Sequence, residues 1–325
     1  MKLSSRIFNC FHRVLILLGI PLLILSAANA SGEVWKTITP TEVYYLAKSI
    51  DDSLASMYGL TTTLTKKRIS NNLRPRNVYQ KVLSVADEFN ILHDNAVSSF
   101  KLNEARGIDA SRTNPSDVYA VLALLKEYLV SKDTFTESTE ERSPKTPGDV
   151  FHILRQISMH HLEIAKKKNI STDWATPAQV YDSVVTGILP VVYKIAAEAG
   201  VEHEYYPFPS QPVSRILPRY VYKLLYHVYK NISEYYLGKG GYDPVILVEV
   251  NDCDKISPAD VFDLTKVVIA ELRAKSGSKT LPSEIAVRYG RWKNTKEKIV
   301  PGDVFRLIQH NFILTKSILR RSVDG

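Results

Sequence analysis

Along residues 31–325, apolar side chains recur at steps of three and four. After Pro115 come Val118, Tyr119, Leu122, Leu125 and Leu129. After Pro218 come Val221, Tyr222, Leu225, Val228 and Ile232, and after Pro258 come Val261, Phe262, Val268 and Leu272. Such steps gather residues on one stripe of a helix. Most stripes last about 20 residues, roughly 30 Å of helix at about 1.5 Å per residue. The second is expected to run on from Pro75 to near Arg106.

Each stripe opens with the same phrase, Pro-x-x-Val-aromatic. Its prolines are Pro40, Pro75, Pro115, Pro147, Pro177, Pro218, Pro258 and Pro301. A spacing of about 30 to 43 residues is the mark of an internal repeat. The columns of the phrase read as helix-start chemistry. Thr39, Asn114, Thr146, Thr176 and Ser257 precede the proline, where a side-chain oxygen caps free first-turn amides. Proline follows at the first helical position, where its missing N–H costs nothing. Glu42, Asp117, Asp149, Asp260 and Asp303 stand at the third, against the positive end of the helix dipole. Glu42 and Gln179 fit the strict capping box. Ile38, Leu73, Ile216, Ile256 and Ile299 lie just ahead of the cap and would staple onto the valine of the first turn. The aromatic column alternates Tyr (44, 79, 119, 181, 222) with Phe (151, 262, 305). A shared hydroxyl chemistry would not tolerate Phe, so the column is read as packing.

The expected fold is therefore all-α: eight long capped helices in up-and-down bundles, with an α-solenoid as the alternative. The shortest connector, about 169–176, spans at most about 26 Å and barely returns along such a helix, which favours antiparallel neighbours. The connector 200–217, rich in proline, divides residues 31–200, with five helix starts, from residues 201–325, with three. Residues 245–250 read as a short strand or an extended segment laid over helices. Residues 282–292 read as a short extra helix, and 132–145, polar throughout, as a mobile surface loop.

The first thirty residues have the layout of a secretory signal peptide. Lys2, Arg6 and Arg13 precede an apolar run from Val14 to Leu25, and Ala28-Asn29-Ala30 offers a cleavage site. That run is short for a membrane span of about 20 residues. The expected mature chain, 31–325, is periplasmic or secreted, with no transmembrane span. Cys253 is its only cysteine, so no intrachain disulfide forms. Of the precursor's +8, three charges belong to Lys2, Arg6 and Arg13, leaving +5 on residues 31–325. This mild balance argues against a nucleic-acid partner.

No catalytic signature appears: no CxxC, HExxH, ExxH, G-x-S-x-G or phosphate-binding loop. No cofactor or metal is implied. His152, His160, His161 and Glu163 share one helix but lack a converging third ligand, and read as a polar face with one partly buried histidine. The acidic run Glu249, Asn251, Asp252 and Asp254 fails the EF-hand pattern at its sixth and twelfth positions. Tyr222, Tyr226 and Tyr229 recur at helical spacing, and are the candidate ligand-binding residues if such a cleft exists. The expectation is a non-enzymatic binding or scaffold protein, its partner another protein or a small ligand. The alternative is a small-molecule-binding or sensory protein using the tyrosine-rich cleft.

Overall fold

The computed structural model describes residues 37–64, 69–70, 72–171, 174–208, 213–251, 254–277 and 280–324. The proposed signal peptide, Asp252 and Cys253 lie outside them. Residues Ile38–Gly325 form one compact unit. It is built from helices, with one isolated bridge between Ser70 and Leu247 among the described residues.

In chain order the helices are α1 (Pro40–Tyr58), α2 (Pro75–Leu92), α3 (Ser99–Gly107), α4 (Pro115–Ser131), α5 (Pro147–Lys167), α6 (Pro177–Gly187), α7 (Leu189–Glu198), α8 (Pro218–Gly238), α9 (Pro258–Ser276), α10 (Ser283–Lys293) and α11 (Pro301–Asp324). The all-α class is as expected. Eight of these helices begin at a proline of the phrase, and their starts show why. Thr39, Asn114, Thr146, Thr176 and Ser257 each accept a first-turn amide. In return, the third-position side chain reaches back to the cap N–H: Asp117 to Asn114 at 2.8 Å, Asp149 to Thr146 at 2.9 Å, and Asp260 to Ser257 at 2.8 Å. Aspartate thus closes the reciprocal box that the strict rule reserves for Glu or Gln. All eight phrase valines are buried.

The direction of the helices differs from the up-and-down expectation. Pro40, Pro75, Pro115 and Pro147 line one small apolar pit together with Val43, Val78, Val118 and Val150. A second pit is lined by Pro177, Pro218, Pro258 and Pro301 with their four valines. Four helices therefore start at one place in each group. They also finish together: Lys167 Nζ bonds the Tyr58 carbonyl at 2.9 Å, and Lys168 Nζ the Leu92 carbonyl at 2.9 Å. In the second group Asn231 of α8 meets Thr315 of α11, at matching depth, at 3.2 Å. Each quartet is parallel. The first comprises α1, α2, α4 and α5; the second comprises α6 (continued by α7), α8, α9 and α11. Within each, the first two helices lie diagonally opposite and each packs on the last two.

Connector length explains the parallel arrangement. All connectors within a quartet run about 15 residues or more, up to about 50 Å extended, enough to return along a helix of about 30 Å. The connector 132–146 makes the return visible. Thr136 and Ser138 amides donate to Ser53 and Ser49 hydroxyls, both at 2.9 Å. Farther back, the Ser143 amide donates to Tyr45 at 2.7 Å and the Lys145 amide to Thr41 at 3.1 Å. The segment expected to be a mobile loop is strapped down the 41/45/49/53 face of α1.

The short connector 169–176 has no return to make. It joins the quartets, which run in opposite directions: across their seam Arg76 meets Glu271 while Lys81 meets Asp263. The fifth phrase helix accordingly packs with the last three, so the boundary at 200 is not where the packing divides. The helix from Pro75 also stops at Leu92, short of Arg106. Asp94 and Asn95 take left-handed backbone angles there, and α3 follows as a separate element. Pro190 sits at the break between α6 and α7, where a proline removes a helix hydrogen bond. The stretch Pro177–Glu198 is long and apolar enough to cross a membrane, but most of it is buried inside the fold. Residues 245–248 are extended, with Val248 N donating to the Ile69 carbonyl at 2.9 Å. The short extra helix expected at 282–292 is α10.

Candidate functional site

The seam between the quartets is polar where a core would be apolar. On α2, Asn77, Lys81, Ser84 and Glu88 are all buried, and their spacing puts them on one face. Asp260, Asp263 and Glu271 form the opposing stripe on α9, and Arg155 of α5 completes the set. Burying a charge is costly unless it is paired, and these are paired across the seam. Arg155 Nε donates to Asp263 at 2.6 Å and its Nη2 to Asp260 at 2.6 Å. Lys81 Nζ donates to the other oxygen of Asp263 at 2.8 Å. Arg76 clamps Glu271 with bonds of 2.6 and 2.8 Å, and Asn77 adds a third at 2.9 Å. Burial alone would lower the Arg155 pKa, but Asp263 and then Asp260 outweigh it and the net shift is upward. Asp260 also holds the cap of α9, so one carboxylate both starts a helix and ties it to the other quartet.

Beside this network lies a cavity of about 210 Å³. Lys81, Glu88, Arg155, Asp260 and Asp263 supply its charged lining. Met159 and Leu162 of α5, Phe262 of α9 and Trp174 of the joining connector supply apolar walls. Ser158 also lines it, and its buried hydroxyl has no hydrogen-bond partner among the described residues. Glu88 is held by His161, with Nδ1 to Oε2 at 3.1 Å, and His161 packs against Trp174 with ring centroids 5.8 Å apart. On α9, Lys266 Nζ lies 4.7 Å above the Phe262 ring and bonds Ser183 at 3.3 Å. Burial, followed by the charge of Arg273, lowers its pKa to about 8.

Tyr222, Tyr226 and Tyr229, singled out in the sequence, line neither the seam cavity nor the two apolar pits. Tyr222 is buried next to the seam; burial and then Asp260 push its pKa up to about 12. Tyr229 is buried too; its hydroxyl accepts the Val245 amide at 3.0 Å and lies 3.2 Å from the Tyr242 hydroxyl. Tyr226 is half-buried beside the His227 ring. The seam cavity is lined without any of the three.

The histidines of α5 are separately engaged. His160 meets Asp51 through Nδ1 at 2.9 Å and the Thr62 carbonyl through Nε2 at 3.0 Å, while His161 goes to Glu88. Glu163 accepts from Thr62 at 2.6 Å. Among the described residues, no group of three or more His, Cys, Asp or Glu side chains is placed to hold a metal ion. In the acidic turn, Asn251 N donates to Asp254 at 2.6 Å.

No sequence motif spans the seam: its charges come from residues as far apart as Arg76 and Glu271. A local signal existed in the spacing of Asn77, Lys81, Ser84 and Glu88, which sets four polar side chains along one face of α2. No family model, curated protein or solved structure matches the chain.

Proposed function

We propose that this chain is an exported, non-enzymatic binding protein whose ligand is a small molecule held in the seam between its two quartets. The observation that carries this reading is the 210 Å³ cavity, which combines a few fixed charges with aromatic and aliphatic walls. Ligand sites commonly pair an apolar lining with a few convergent polar groups. Lys81, Arg155, Asp260 and Asp263 are tied to each other and, through Asp260, to the start of α9, which suits a site that holds a ligand in one orientation without reorganising. The connector bearing Trp174 joins the quartets directly, so occupancy of the cavity would be felt by both. Export is supported by the three-part N-terminal segment.

The test is thermal denaturation of the wild type and of Ser158→Trp, whose indole would fill the cavity, against a library of metabolite-sized compounds. A true ligand raises the wild-type Tm and leaves Ser158→Trp unmoved. A library in which every stabiliser acts equally on both proteins would refute the assignment of the site.

A further inference from the structure

Resting on the reading of the seam cavity as the binding site, we infer that the ligand is a primary ammonium ion on a small apolar or aromatic body. The charges lining the cavity are unequally engaged. Arg155 and Lys81 are each bonded to aspartate at 2.6–2.8 Å, and the two aspartates offset them. An arriving carboxylate would have to compete with Asp260 and Asp263 for cations they already hold in place. Glu88 differs. Its described partner is the imidazole of His161, at the longer distance of 3.1 Å. On the facing helix, Lys266 feels the Glu88 charge but bonds Ser183 and lies over the Phe262 ring.

The rest of the lining suits the same ligand. A primary ammonium carries three donors and no acceptor. Glu88 can accept one, and Ser158, whose buried hydroxyl has no partner among the described residues, can accept another. Trp174 is buried against His161 and offers a ring for a cation, the side chain best suited to that contact. Met159 and Leu162 leave an apolar wall for the remainder of the molecule. The volume limits that remainder to roughly one aromatic ring or a short alkyl chain.

The experiment is isothermal titration of the full mature chain with three probes that share one skeleton: 2-phenylethylamine, 2-phenylethanol and 3-phenylpropionate. The amine is expected to bind at least about tenfold more tightly than the other two. Glu88→Gln keeps the hydrogen bond to His161 in size and shape, and is expected to erase the preference for amine over alcohol. Circular dichroism and Tm of the variant show whether it is folded. The preference among probes in the wild type stands as a test even if it is not. Tighter binding of the alcohol or the carboxylate, abolished by Ser158→Trp, would overturn the ammonium assignment and leave the cavity reading standing. Binding of no probe, or binding unaffected by Ser158→Trp, would overturn both.

Discussion

Arg155 of the first quartet reaches across the seam to Asp263 of the second, Nε to Oδ2 at 2.6 Å, and both side chains are buried. The same guanidinium also holds Asp260. Removing one partner of a buried pair strands the other. Arg155→Met is therefore expected to destabilise the protein by about 3–5 kcal/mol in urea unfolding. A loss below about 1 kcal/mol would mean that the seam charges do not hold the quartets together.

The two closest copies of the phrase, TPGDVF and VPGDVF, differ in surroundings. A Cβ added at Gly148 meets only the Thr146 hydroxyl, at 3.5 Å, whereas at Gly302 it would lie 2.1 Å from the Val213 carbonyl oxygen. Backbone cannot yield as a side-chain tip can. Gly148→Ala is expected to be neutral or slightly stabilising, since alanine favours helix over glycine by up to about 1 kcal/mol. Gly302→Ala is expected to cost about 1–3 kcal/mol or more. Equal melting temperatures for the two variants would contradict the close approach of Val213 to the start of α11.

Phe151 is buried in α5, while Pro147 only sets the entry angle of that helix. Phe151→Ala should cost about 3–5 kcal/mol, and Pro147→Ala less than about 1 kcal/mol. Chemical denaturation of the two variants checks the order. A melt unchanged by Phe151→Ala would refute the packing role of the aromatic column.

Stability should fall in mild acid. Burial, then Lys168 and His161, lower the His93 pKa to about 4; burial, then His203, lower that of His310 to about 4. Both start from 6.5 when unfolded. Between these values the unfolded chain holds more protons than the native one, so their contribution is full above 6.5 and is lost as pH falls toward 4. His160 has the opposite sign. Burial lowers its pKa, but Asp51 and the Thr62 carbonyl raise it further, so its contribution is full below 6.5 and fades as pH rises through its folded value. Tm measured from pH 7 to pH 4 should drop, and less steeply in His93→Phe, whose ring keeps the stack on Phe89. A parallel drop in wild type and variant would rule out His93 as a source.

Much of the fold could be read from local chemistry. Thr146, Pro147 and Asp149 mark a helix start because cap, backbone angle and dipole are satisfied within four residues. What could not be read locally was direction. Nothing in Pro40 or Pro115 says that four starts share one pit, because that depends on where a connector of about 15 residues goes. The Thr41, Tyr45, Ser49 and Ser53 face, which guides one such connector back, looks from the sequence like an ordinary polar face.

The site was less legible than the fold. Tyr222 and Tyr229 drew attention by abundance, and they are buried in α8 because large rings fill space between helices. Lys81 and Glu88 drew none, since a charged residue on a helix usually faces water. They matter here because a second quartet covers them.

The central claim, that the seam cavity holds a small molecule, is tested most directly by native mass spectrometry of the protein purified from its own host. The expected result is a small, discrete mass above the bare polypeptide that is missing from Ser158→Trp prepared in the same way. A bare polypeptide mass for the wild type, alone or as a multiple, would contradict it.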